Sequence, residues 1–268
     1  MNIEHLIHTE LNQQHLIDYT LHLADTTLIL AQRNSEWCAH GPILEQDIAI
    51  TNISLDLLGQ SRNFYQYAAT LINESTNKPI NQATEDSLAY LRNEREFKNL
   101  LLTELPNGDW AQTILRQFFF SVYQSLLYEH LQKSSDEQFA AIAEKSLKEI
   151  TYHIRWSSEW VIRLGDGTTE SNQRIKKAIE YLWEYTGELF MPANYETACF
   201  KKAVAPDITP LKEKWLQKIS KVFEEATLSL PGNTFMQTGG KQGIHTEHIG
   251  YILAEMQSLQ RTYPGAEW

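Results

Sequence analysis

The chain has 268 residues, 42% of them hydrophobic, with 7 Trp, 12 Tyr and 10 Phe, which is enough to bury a core in one large domain. Its formal net charge of −11 excludes binding of nucleic acid or anionic lipid through the average field of the protein. The two cysteines, Cys38 and Cys199, have no paired spacing, the first residues contain no apolar signal region, and no apolar run reaches membrane-span length, so a cytoplasmic protein is expected.

Residues 1–12 have weak periodicity and read as a flexible N-terminal arm; residues 13–268 read as a single domain. The first helix is expected over 13–37, with Leu16, Tyr19, Leu23, Leu30 and Trp37 near one face, ending where Gly41-Pro42 breaks it. A second follows over 43–73. It is apolar on several sides, yet Asn52, Asp56, Gly59 and Asn63 recur at four, three and four residues and form a polar seam. Such a seam hydrogen-bonds inside the core, faces a partner chain, or is the remnant of a ligand-bearing face.

After a polar loop over 74–83, a third helix is expected over 85–104, with Arg92, Glu94, Arg95, Glu96 and Lys98 as its exposed face. Asp109 can cap a fourth, running to about 133, whose segment FFFSVYQSLLY needs a deep core. Ser121 and Gln124 stand there where a bundle metal site would want a carboxylate. The fifth helix ends at Gly165, a candidate left-handed cap, and Ser134 and Ser135 with Glu137 and Gln138 make a capping-box pattern at its start. Helices over 171–189, 210–228 and 246–261 complete the chain, with 190–209 and the glycine-rich stretch 229–244 as loops. Thr209-Pro210 reads as a cap followed by Pro at the first helical position. No strand periodicity is present. The expected fold is all-α, a ferritin-like antiparallel helical bundle with additional C-terminal helices.

The fifth helix raises the functional question. Four-helix di-iron proteins take Glu-x-x-His from each of two helices and one carboxylate from each of two others. His153 lies mid-helix, but the residue three before it is Ile150. The other eight of the 9 histidines are preceded at that distance by Asn2, His5, Asn12, Tyr19, Trp37, Leu127, Gln242 and His245, none a carboxylate. The pattern is that of a metal-carrying bundle whose metal site is lost. If Asp56 sits inside such a core it needs a counter-charge, for which Arg62, Lys148 and Arg155 are candidates. His245 and His248 could ligate zinc from one helix end, but a structural site wants four ligands and neither cysteine has a suitable neighbour. Gly239-Gly240-Lys241 lacks the spacing of a phosphate loop. Lys241, His245 and His248 remain as a possible partner or ligand loop.

Four stretches together, SEWCAHGPILEQDIAITNISLDLLGQSRNF (35–64), NEREFKNLLLTELPNGDWAQTILRQFF (93–119), KEITYHIRWSSEW (148–160) and TGGKQGIHTEHIGYILAEMQSLQR (238–261), resemble the C-subunit family of phenylacetyl-coenzyme A monooxygenases. The resemblance covers nearly everything after about residue 15. It implies a structural subunit, without catalytic or metal-binding residues of its own, in a multicomponent phenylacetyl-CoA 1,2-epoxidase of aerobic phenylacetate degradation. It further implies a homologous A-type subunit that carries the di-iron centre and binds phenylacetyl-CoA, and a separate reductase that draws on NADPH. The two Glu-x-x-His motifs of the catalytic relative fall on Asp56-Leu57-Leu58-Gly59 and Ile150-Thr151-Tyr152-His153, and Thr27 and Ser121 match the other two carboxylates. Two other readings stay open: an independent di-metal oxidase or oxygenase with unusual ligands, and a helical scaffold or binding protein unrelated to oxygen chemistry.

Overall fold

The computed structural model describes residues 3–76 and 82–266, with side chains described for all of these except 3–12 and 76. Four long helices form the bundle: α1 (Ile3–Ser35), α2 (Leu44–Thr76), α5 (Trp110–Leu131) and α6 (Glu137–Gly165). α1 packs along α2, α5 along α6, and α2 closes against α6. The backbone is helical from Ile3, well ahead of the expected start; the side chains of the proposed arm, 1–12, lie outside the described residues. No strand occurs among the described residues.

The interior follows from the residue pattern. α5 is buried almost throughout, as FFFSVYQSLLY requires. On α6, Ala143, Ser146, Ile150, His153, Ser157 and Val161 form the buried stripe, with helical spacing. Apolar side chains from all four long helices and from the C-terminal elements join one core, whose burial drives folding at about 25 cal/mol per Å² of apolar surface.

Several boundaries differ from expectation for identifiable reasons. The cap of α6 is Asp136, whose Oδ1 accepts from the backbone N–H groups of Gln138 (3.0 Å) and Phe139 (3.2 Å). The hydroxyls of Ser134 and Ser135 instead donate to the carbonyls of Val204 and Lys202. Gly165 is not left-handed. It is the last residue of α6, and a Cβ there would lie 2.2 Å from the carbonyl oxygen of Ala226, so the absent side chain allows a close approach.

The expected helix over 85–104 is divided into α3 (Glu85–Tyr90), a single 3₁₀ turn (Glu94–Glu96) and α4 (Leu101–Glu104). Arg92 is the cause. Rather than joining an exposed face it turns inward, and its guanidinium binds both carboxylate oxygens of Asp25 on α1. Asp25 also accepts from Tyr65 OH (2.5 Å) and from Lys98 N–H (2.8 Å), which draws the chain out of helical conformation to cross α1.

Past α6, α7 (Thr169–Leu182) breaks into two 3₁₀ turns, and the expected loop 190–209 contains α8 (Asn194–Phe200). α9 (Leu211–Glu225) begins one residue later than the Thr209-Pro210 pattern indicates, with Pro210 itself in the capping position. The last expected helix is α10 (His248–Met256) followed by α11 (Ser258–Thr262). No helix among the described residues is long and apolar enough to cross a membrane.

Candidate functional site

The interior of the α1, α2, α5 and α6 bundle is where a ferritin-like protein builds a metal site. Of the six matched positions, four point inward. Thr27, Ser121, Ile150 and His153 are all at most 1% exposed. Thr27 donates its hydroxyl to the carbonyl of Leu23 (2.9 Å). Ser121 accepts from Gln117, whose own carbonyl oxygen accepts from Asn34 at 2.6 Å.

The α2 pair behaves differently. Asp56 sits at the α2–α6 edge with 35% of its side chain exposed, and Gly59 lies on the outer face with nothing within 4 Å of a Cβ placed there. The inward positions three residues apart on α2 are instead Leu57 (0% exposed) and Gln60 (1%). The polar seam through Asn52, Asp56 and Gly59 therefore runs along the outside of the bundle, and the residue sequence reasoning missed is Gln60. An alternation of buried Ile53, Leu57, Gln60 and Phe64 would have pointed to it.

Across the α2–α6 seam the polar groups pair in antiparallel order. Gln46 Oε1 accepts from the indoles of Trp156 (2.9 Å) and Trp160 (2.7 Å). His153 Nε2 lies 3.0 Å from Asp56 Oδ2, and because a carboxylate oxygen accepts, the ring donates from Nε2. Gln60 donates to Glu149 Oε2 (2.9 Å) and accepts from Gln124 on α5 (2.8 Å). The counter-charge of Asp56 is thus none of the three expected cations. Arg62 is held by Glu85 at 3.0 Å, and Arg155 lies over the Tyr152 ring.

The inward donor set is hydroxyl, amide and alkyl, with one imidazole. A di-iron site of this architecture uses four carboxylates and two imidazoles, and the residues present do not fit it. Among the described residues no group of three or more His, Cys, Asp and Glu side chains could hold a metal ion.

In the C-terminal loop, Lys241 is not the accessible cation the sequence suggests. Lys241 is 1% exposed; its ammonium donates to Glu196 Oε2 and to the carbonyl of Met191, each at 2.9 Å. A buried, paired lysine is inaccessible to an acidic partner. Gly240 packs so closely on the 97–104 segment that a Cβ would meet the carbonyl oxygen of Asn99 at 2.2 Å. Two further buried carboxylates hold the loop. Glu188 accepts from the N–H groups of Leu101 and Gly239; burial pushes its pKa up, against those hydrogen bonds and the nearby Lys241 charge. Glu104 accepts from Asn99, from His245 Nδ1 (2.8 Å) and from both the N–H and the hydroxyl of Thr246. Burial alone would lower the pKa of His245, but the Glu104 bond and charge with the Phe97 carbonyl raise it above the ordinary value. His248 is only part-buried, and its backbone N–H turns to the Thr246 hydroxyl. The loop is a structural clasp built on Glu104, Glu188 and Glu196, which local sequence did not reveal.

Comparison with known proteins gives the family of this helical chain. Residues 4–268 match the family model described as phenylacetic acid catabolic protein. The chain is 47% identical over 253 residues to the C subunit of 1,2-phenylacetyl-CoA epoxidase from Escherichia coli (strain K12), spanning 94% of this chain and 99% of that protein. The chain belongs to the phenylacetic acid catabolic protein family.

Proposed function

With that membership as premise, we propose that the chain is the non-catalytic C-type subunit of a phenylacetyl-CoA 1,2-epoxidase. It holds no iron of its own and assembles with a homologous A-type subunit that carries the di-iron centre and takes up phenylacetyl-CoA. Electrons come from NADPH through a separate reductase. The observation that carries the reading is the bundle interior, where Thr27, Gln60, Ser121 and Ile150 stand at inward positions that a di-iron bundle would fill with carboxylate or imidazole.

A second observation supports the assembly. α2 exposes Leu44 (71%), Ile48 (51%), Leu55 (59%) and Leu58 (43%) at helical spacing on its outer side, with Ile43 beside them. An apolar row of this kind on a water-exposed face, interrupted by Thr51 and flanked by the polar seam, suits an interaction surface. A helix of a homologous bundle is the occupant this stripe suits, since its ridges would pack between those leucines as α1 packs on the other side of α2.

The test is co-expression with the family's Glu-x-x-His-bearing subunit, followed by metal analysis of the complex and of the isolated chain. The expected result is a stable hetero-oligomer whose iron follows the partner, and an isolated chain that retains substoichiometric iron. Two irons per isolated chain, or oxidation of phenylacetyl-CoA by that chain with only a reductase added, would refute the reading and favour the independent oxidase.

A further inference from the structure

A small cavity of about 10 Å³ lies between α1 and α5, bordered on its polar side by His22, Thr26, Thr27, Tyr123, Gln124 and Tyr128. Tyr123, Gln124 and Tyr128 are each at most 2% exposed. Their polar atoms, the two phenol oxygens and Gln124 Oε1, make no hydrogen bond of normal geometry in the protein, although the Gln124 side chain lies close enough to the Tyr128 phenol to lower its pKa against the effect of burial. Three orphaned polar atoms around one void are uncommon, because each unpaired buried group costs about 1–3 kcal/mol.

The direction of each bond can be worked out from Glu149. An ionised carboxylate only accepts, so the Gln60 group facing it is the amide NH₂, at 2.9 Å. That leaves Gln60 Oε1 toward Gln124, and Gln124 must therefore present its NH₂, at 2.8 Å. The remaining Gln124 Oε1 is then fixed as an acceptor that needs a donor. The phenols of Tyr123 and Tyr128 are kept protonated by burial, which raises both pKa values above the ordinary range, and each has a hydrogen to donate. Thr27 uses its hydroxyl hydrogen on the Leu23 carbonyl, so its oxygen can still accept.

We propose that this cavity is a single-water site, in which one internal water accepts from Tyr123 OH and Tyr128 OH and donates to Gln124 Oε1 and Thr27 Oγ1. The count of two donors and two acceptors matches the full valence of a water molecule, and the volume is that of about one probe sphere. A cation is disfavoured because no carboxylate lines the cavity and two of its groups offer hydrogens. The water extends the Glu149–Gln60–Gln124 chain from the α2–α6 edge to the α1–α5 interior. Amides and water, anchored on Glu149 at the edge, then carry these polar contacts of the bundle centre, whichever function the chain serves.

The test combines two isosteric variants, Tyr123→Phe and Tyr128→Phe, with a crystal structure of the wild-type chain at a resolution that orders internal solvent. If the phenols bind water, each variant lowers Tm, by about 2–4 °C, and the map shows one peak within about 3.2 Å of Tyr123 OH, Tyr128 OH and Gln124 Oε1. If the cavity is dry, removing an unpaired buried hydroxyl leaves Tm unchanged or raises it, and the proposal fails. It fails equally if the map shows the phenols bonded directly to Gln124 with no density between them, whatever the Tm values.

Discussion

His153 and Asp56 join α6 to α2 through a 3.0 Å hydrogen bond in which the imidazole is wholly buried and the carboxylate is one-third exposed. The donor lies inside and the acceptor at the edge, so the carboxylate keeps part of its hydration and the ring keeps its orientation. That arrangement suits a helix-to-helix tie. The expected consequence is that Asp56→Asn and His153→Gln leave turnover of the reconstituted complex within about tenfold of wild type, roughly 1.4 kcal/mol in barrier height. Steady-state epoxidation, with assembly confirmed by size exclusion, measures it. A thousandfold loss in a normally assembled His153→Gln complex would assign chemistry to this subunit.

The Glu104–His245 contact has a pH signature. Folding raises the proton affinity of His245, so its contribution to stability is complete below the unfolded pKa of about 6.5 and is lost as pH rises through the raised folded value. Glu188, also raised, acts in the same direction but between its unfolded acidic value and its own folded one. Hydrogen exchange of residues 239–247, corrected for the intrinsic pH dependence, is expected to show protection that declines toward alkaline pH. His245→Gln should flatten that decline while lowering protection at pH 6. A pH-independent wild-type profile would show that the pair does not secure the loop.

Periodicity in the sequence was sufficient for the four long helices, because α5 and α6 are long enough for the apolar repeat to dominate. It was insufficient wherever a charged residue is satisfied at long range. Arg92 looks like a surface residue until Asp25, on another helix, is opposite it. Arg116 is fully buried, bound by the carbonyl of Leu105 and the side chain of Asn107, and nothing in its neighbours on α5 distinguishes it. The same limit applies to the site. The absence of Glu-x-x-His is readable from spacing alone. The one-residue rotation that turns Gly59 outward and Gln60 inward was not, because α2 is apolar on both sides and two registers are equally plausible from hydrophobicity.

Two glycines on long helices are expected to respond oppositely to alanine. Gly59 has open space around its missing side chain, so in the isolated chain Gly59→Ala should gain about 1 kcal/mol of helix propensity. Gly165→Ala would drive a methyl group to 2.2 Å from the Ala226 backbone oxygen and should cost about 1–3 kcal/mol through displaced packing. Thermal melts of the two variants measure the sign directly. Stabilisation by Gly165→Ala would show that α6 does not press on the turn after α9 as described.

The outer face of α2 gives the sharpest test of assembly. Leu44 and Leu55 are 71% and 59% exposed, so replacing them removes little from the fold of the isolated chain. If a partner helix covers them, each leucine contributes about 1.5–3 kcal/mol to binding through burial, and glutamate there must also be desolvated without a partner. The double variant Leu44→Glu/Leu55→Glu is therefore expected to keep the helical circular dichroism and Tm of the wild-type chain. Its affinity for the A-type subunit should fall at least a hundredfold, about 2.8 kcal/mol. Lys212→Glu, on the exposed side of α9, is the control for a change of surface charge and should bind normally. Titration calorimetry or analytical ultracentrifugation with the purified partner measures both. Undiminished binding by the double variant would move the interface off α2, whereas a matching loss in Lys212→Glu would trace the effect to net charge, since the chain already carries −11.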